Sequence, residues 1–213
     1  MGVRILTSMF QHGFPDDVAI ELKRLIQKKG SFVFVASEFE KNHDITDDYY
    51  TFFLNMFVEK EIYFENKYVV DSRMSKDQAM MLIKNADVLW LSGGDTPTQY
   101  EYLKAYGLLK PIKNCEGIII GMSAGAINMA ETAICTVSCG HEKQEIYDGI
   151  GLVDISVEPH FNKDKIPNEI IELSKEYTIY GVCDDAMIIE ENGIKSFLGN
   201  IFVIDKGKIK KVS

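Results

Sequence analysis

The chain has no basic excess, no apolar run of membrane length, no cysteine framework and no internal repeat. Its 23 lysines and arginines are outnumbered by 32 aspartates and glutamates, giving a net charge of −9. A nucleic-acid partner is excluded on that ground, because binding phosphate backbones needs a basic footprint. No apolar stretch approaches the roughly 18–20 residues of a spanning helix, so no membrane partner is expected. Residues 1–7 read as a first strand and not a leader, since their apolar part is short and lacks a cleavage site. Gly2 is not followed by the serine or threonine of an acylation motif. The four cysteines, Cys115, Cys135, Cys139 and Cys183, suit free thiols in a reducing cytoplasm. Low-complexity tracts and Pro/Gly/Ser-rich linkers are also missing, so residues 1–213 read as one domain.

What is present is alternation. Strand-like runs at 3–8, 31–36, 61–70, 87–91, 118–122, 155–158 and 178–182 are separated by helical spacing at 15–29, 44–58, 75–85, 95–106, 124–130 and 167–176. Short strands at 186–189, 194–198 and 200–203 follow, with a hairpin turn at Lys206-Gly207. This order predicts parallel βαβ units and an α/β fold with helices on both faces of a mostly parallel sheet. Such sheets bind ligands beyond the carboxyl ends of their strands.

One strand end is unusual. Three isoleucines, Ile118 to Ile120, run into Gly121-Met122-Ser123-Ala124-Gly125. A serine between two glycines, with an apolar strand before it and an alanine-rich segment after it, fits a nucleophile elbow. The Ala124 N–H then starts a helix and is available to an oxyanion. A second end, Ser92-Gly93-Gly94-Asp95, exposes backbone N–H groups of Gly93 and Gly94, one of them a second donor. Asp95 suits the cap of the next helix.

A serine nucleophile needs a base and a carboxylate to orient it. Of His12, His43, His141 and His160, the last lies at a strand end between Pro159 and Phe161, a rigid, half-buried position suited to a base. Asp184 and Asp185 close the next strand, and one of them is expected to face His160; Glu158 is the runner-up. Lys163 and Lys165 follow His160 and suit either a substrate carboxylate or a solvated face. Cys135, Cys139 and His141 have part of a metal spacing but no evident fourth ligand.

Taken together, residues 91–96, 121–126, 158–161 and 181–185 resemble the serine peptidase family of dipeptidase E (α-aspartyl dipeptidase) and cyanophycinase. The order and spacing match over about residues 85–190; the first third matches only as a βαβ pattern. The resemblance implies a flavodoxin-like fold akin to class I glutamine amidotransferases. It also implies Ser123 as nucleophile, His160 as base, a carboxylate near Asp184, and Gly94 and Ala124 as oxyanion donors. Gly93, Asp95 and Lys163 are candidate substrate-binding residues. Relatives often carry Glu at the position of Asp184 and Asn at that of Asp95, where a negative charge disfavours an acidic substrate.

The implied activity is hydrolysis of amide bonds in small peptides, N-terminal aspartyl dipeptides first among them, through an acyl-enzyme and with no cofactor or metal. Two other readings stand beside it: an amidase or esterase with the same residues, and a non-catalytic binding module. The C-terminal strands, if at an edge, offer a homodimer contact.

Overall fold

A computed structural model of the chain describes residues 2–213. Its first half contains β1 (Arg4–Thr7), α1 (Asp16–Leu25), β2 (Ser31–Val35), α2 (His43–Glu59), β3 (Asn66–Val70), α3 (Lys76–Lys84), β4 (Val88–Leu91), α4 (Thr96–Ala105) and α5 (Leu109–Lys113). The second half continues with β5 (Ile118–Met122), α6 (Ala124–Met129), β6 (Thr132–Cys135), β7 (Glu145–Asp148), β8 (Ser156–Pro159), α7 (Asn168–Leu173), β9 (Ile179–Val182), β10 (Met187–Glu191), β11 (Ile194–Leu198), β12 (Ile201–Asp205) and β13 (Lys208–Lys211).

The main sheet has the order β11-β10-β1-β5-β4-β2-β3. The strands from β1 to β3 pair parallel, and β10 and β11 extend them as an antiparallel edge. Because side chains alternate across a strand, each central strand feeds two cores. Phe32, Phe34, Val88, Trp90, Ile118 and Ile120 face one way, toward α1 and α2. Val33, Val35, Leu89, Leu91 and Ile119 face the other, toward α3 to α6. The runs therefore read as continuously apolar, as expected for strands covered on both faces. The fold is α/β, with a mostly parallel sheet between two helical layers.

Local signals place the helix starts. Ser75 accepts from Gln78 N–H at 3.3 Å, and Asp95 accepts from Thr98 N–H at 3.0 Å. Three elements depart from the sequence reading by three residues or more at one end. The first helix stops at Leu25, not Lys29, because Ile26 leaves helical geometry with ψ 77° to bury its side chain. The third strand begins at Asn66, not Glu61, since Glu61 turns with φ 60°. The last helix covers Asn168–Leu173 only.

A larger departure concerns β8 and β9. They do not join the main sheet but form a second one, of order β13-β12-β9-β8, with β8 and β9 parallel. A third, two-stranded sheet, β6-β7, comes from a segment in which no strand was expected.

Candidate active site

Strand β5 lies between β1 and β4 and ends at Met122, opposite Thr7. The chain then turns sharply into α6. Ser123 takes φ 50°, ψ −109°, a conformation that L-residues rarely adopt and that surrounding structure must hold. Its N–H donates to Thr7 O at 2.9 Å, which anchors the turn to β1. The flanking glycines allow close approach. A β-carbon on Gly125 would strike the Leu91 carbonyl group of β4, with its carbon 2.7 Å away. One on Gly121 would meet Met129 Sδ and lie 2.7 Å from Gly125 C and O, so its obstacle is α6 and not a neighbouring strand.

Ser123 Oγ lies 3.1 Å from His160 Nε2. His160 follows β8, with φ 54°, and its side chain is 43% exposed, more open than the half-buried position expected. Its other nitrogen, Nδ1, is 2.9 Å from Asp184 Oδ1. An ionised carboxylate only accepts, so Nδ1 carries the proton and Nε2 is left to accept from Ser123.

Asp184 lies in residues 183–186, the crossing from β9 in the second sheet to β10 in the main one. Burial opposes its ionisation. Hydrogen bonding from Ser8, the electrostatic attraction and N–H of His160, and the Met9 N–H outweigh that, holding the carboxyl below its ordinary value. Gln11 Nε2 reaches its other oxygen at 3.1 Å.

Ser8, just past β1, was not singled out from sequence. It is fully buried, donates to Asp184 Oδ1 at 2.6 Å and accepts from the His160 N–H at 2.9 Å. Its signal was a polar residue at the end of an apolar strand. That signal gains meaning only once β1 is known to pair with β5.

The two rival carboxylates lie elsewhere. Glu158 turns away from His160 and is buried against Thr136 Oγ1 and Ser138 Oγ, at 2.9–3.0 Å. Burial pushes its carboxyl up to about 7, with the two hydroxyls opposing. Asp185 has φ 61° and is tied by its N–H to Met9 O at 2.9 Å.

Gly93 packs against Ser123; a β-carbon there would sit 3.3 Å from Ser123 Cβ. Gly94, with φ 147°, packs against Ser37. Among the described residues, the N–H groups of Gly94 and Ala124 have no acceptor in the chain. Asp95 caps α4 at the rim. Lys163 pairs with Asp164 at 3.1 Å and lines a shallow hollow with Cys183 and Asp184 that adjoins the Ser123 cleft at His160, which lines both. The partial metal spacing is committed within the chain. His141 bonds Thr136 O and Thr96 Oγ1, Cys139 contacts Pro159 O, and Cys135 contacts Tyr147 Oη.

A cleft of about 510 Å³ opens beside Ser123, His160, Gly93 and Gly94. Phe34, Ile45, Tyr49 and Phe53 give it an apolar wall, and Glu38 and Asp95 are its carboxylates. A larger hollow of about 610 Å³, around Asp87 and Gly117, lies at the opposite ends of the strands and holds none of these residues. The arrangement can transfer a proton from a hydroxyl to an imidazole whose far side is held by a carboxylate.

The model of peptidase family S51 matches residues 8–196. The crystal structure of a peptidase from an acI-B1 Actinobacterium is similar at TM-score 0.76 and 17% identity, covering 100% of this chain and 94% of that one. A provisionally assigned peptidase E protein from Listeria monocytogenes EGD-e is similar at TM-score 0.66 and 20% identity, covering 93% of this chain and 98% of that one. At such identities the likeness speaks for the fold, which is flavodoxin-like and of the class I glutamine amidotransferase type. No curated protein matches the chain.

Proposed function

The chain belongs to peptidase family S51, a family of serine-type peptidases, and we propose that it hydrolyses short peptides, down to dipeptides, with Ser123 as nucleophile, His160 as base and Asp184 as the orienting carboxylate. The observation that carries this is one continuous line of contacts. Ser123 Oγ meets His160 Nε2 at 3.1 Å, and His160 Nδ1 meets Asp184 Oδ1 at 2.9 Å.

In this mechanism Ser123 attacks the peptide carbonyl while His160 Nε2 takes its proton. The oxyanion that forms is met by the free N–H groups of Ala124 and Gly94. Asp184 balances the imidazolium without taking its proton. His160 then gives the proton to the leaving amine, and the acyl group remains on Ser123. Water, deprotonated by the same nitrogen, releases the acid and restores the serine. A cleft of about 510 Å³ suits a short peptide and not a folded protein chain. The aspartyl preference implied by the resemblance has no cationic counterpart among the described residues lining the cleft.

The test is intact-mass spectrometry after a fluorophosphonate probe, on the native chain, Ser123→Ala and His160→Ala. One adduct on the native protein, absent from both variants, is expected. No adduct with that probe or with a smaller sulfonyl fluoride moves the reading to the binding module. An adduct with turnover of esters or simple amides but no peptide moves it to the amidase or esterase.

A further inference from the structure

The cleft beside Ser123 has a charge pattern that the resemblance does not anticipate. No lysine or arginine is among the described residues that line it; the carboxylates Glu38 and Asp95 are. Asp95 spends one oxygen on the α4 cap. Glu38 is built differently. Its three donors, Glu40 N–H at 2.9 Å, Lys41 N–H at 3.2 Å and Tyr102 Oη at 2.8 Å, all converge on Oε1. Tyr102 is braced in turn by Phe39, stacked with centroids 5.2 Å apart and planes 7° apart. Among the described residues no donor reaches Oε2.

Burial opposes ionisation of Glu38. The Glu40 N–H, Tyr102, the Lys41 N–H and the Lys41 charge outweigh it and hold the carboxyl below its ordinary value. The cleft therefore has a fixed anion in its wall at neutral pH. Lys41 itself is not a lining residue.

The rest of the wall is apolar. Phe34 and Phe53 are buried, while Ile45 and Tyr49 are each 50% exposed beside them. A substrate side chain entering here meets rings and hydrocarbon, and gains by burying apolar area. An acidic side chain meets like charge, with no lysine or arginine among the described lining residues to offset it. Lys163, the residue that sequence offered for a substrate carboxylate, lines the adjoining hollow beyond His160 and not the wall that holds Glu38.

We propose that Glu38 determines specificity, binding the protonated amino terminus of a short peptide whose N-terminal side chain is apolar or aromatic, and excluding acidic side chains. This rests on the peptidase reading of the same cleft. Oε2 accepts a charge-assisted hydrogen bond from the ammonium, while Oε1 stays fixed by its three donors. The α2 wall takes the side chain, and the carbonyl that follows lies toward Ser123.

The experiment measures kcat/KM for Leu-, Phe- and Asp-headed dipeptides and tripeptides, each with a free and an acetylated amino terminus. It uses the full chain, Glu38→Gln and Glu38→Lys, at neutral pH and low salt. Leu- and Phe-headed peptides are expected to exceed Asp-headed ones by about tenfold or more, and acetylation to lower kcat/KM by a similar factor, mainly through KM. Glu38→Gln is expected to cut the free-to-acetylated ratio about fivefold or more, and Glu38→Lys to shift preference toward Asp-headed peptides.

An Asp-headed preference in the native protein overturns the proposal. So does a Glu38→Gln variant that lowers free and acetylated rates by the same factor, as a merely structural role would. If Glu38→Lys does not fold, the Glu38→Gln ratio decides; if neither folds, the native side-chain and acetylation ratios decide. A chain that labels at Ser123 but prefers Asp-headed peptides overturns only the role of Glu38. One that neither labels nor cleaves any peptide overturns the peptidase reading, and this proposal with it.

Discussion

Ser8 and Asp184 are joined by a 2.6 Å hydrogen bond onto Oδ1, the oxygen that also faces His160 Nδ1 at 2.9 Å. The same Ser8 hydroxyl receives the His160 backbone N–H. One buried serine thus holds His160 at its backbone and Asp184 at its carboxyl oxygen, a positioning residue for the proposed triad.

Ser8→Ala is therefore expected to lower kcat by about tenfold or more with little change in KM, the worth of a hydrogen bond to a charged group. It also raises the Asp184 carboxyl toward its ordinary value. A carboxyl held low in the folded state stabilises above its unfolded value and loses that contribution as pH falls through the folded one. The native chain should thus resist acid further than Ser8→Ala, and paired denaturant titrations at acidic pH measure the gap.

Ser123 carries backbone strain with φ 50°, ψ −109°. Glycine relieves it and alanine does not. Both substitutions are expected to remove on the order of 10⁴-fold or more of the peptidase kcat. Ser123→Gly should nonetheless be more stable than Ser123→Ala, by about 1 kcal/mol. Equal denaturant midpoints for the two variants would argue that the turn stores no strain.

Gly125→Ala forces a methyl group onto the Leu91 carbonyl of β4. Gly125 N–H also donates to Ser92 O at 3.1 Å, so helix α6 has little room to retreat. A loss of about 1–3 kcal/mol is expected from urea unfolding, as for other overpacked sites. The adduct yield at Ser123 should fall as well, since the same contact sets the turn.

Glu158 is a buried carboxyl raised from 4.5 to about 7. A raised value means that the neutral form is favoured by folding. Its stabilisation is complete below 4.5 and is lost as pH rises through about 7. The amount lost is on the order of 3 kcal/mol. Glu158→Gln keeps the acceptor for Thr136 and Ser138 and removes the titration. Its urea midpoint should stay flatter across that window, and a native profile equally flat would count against the shift.

How much could be read without coordinates differs from segment to segment. The turn at Ser123 was legible because its signal is local: apolar strand, glycine, serine, glycine, helix. His160 and the aspartate pair were legible for a similar reason, each standing at the end of an apolar run. Choosing among Asp184, Asp185 and Glu158 was not possible locally. Burial against Thr136 and Ser138 diverts Glu158, and no spacing rule encodes that. Ser8 and Glu38 were missed because both owe their place to residues far along the chain, Asp184 and Tyr102. The second sheet was missed on the same principle. β8 reads as one more strand of an alternating series, and only pairing shows that its neighbour is β9, itself backed by β12, rather than a strand of the main sheet.

Ser123 rides on one sheet, His160 on another, and Asp184 on the short crossing between them. The distance from Ser123 to His160 is thus a gauge of how well two otherwise independent ladders stay docked. Gentle warming or dilute denaturant that lets the smaller sheet drift by an ångström or two is expected to silence the proposed hydrolysis while every strand keeps its partners. Loss of activity is then expected to precede the loss of far-ultraviolet dichroism, so that the molecule falls quiet before it falls apart.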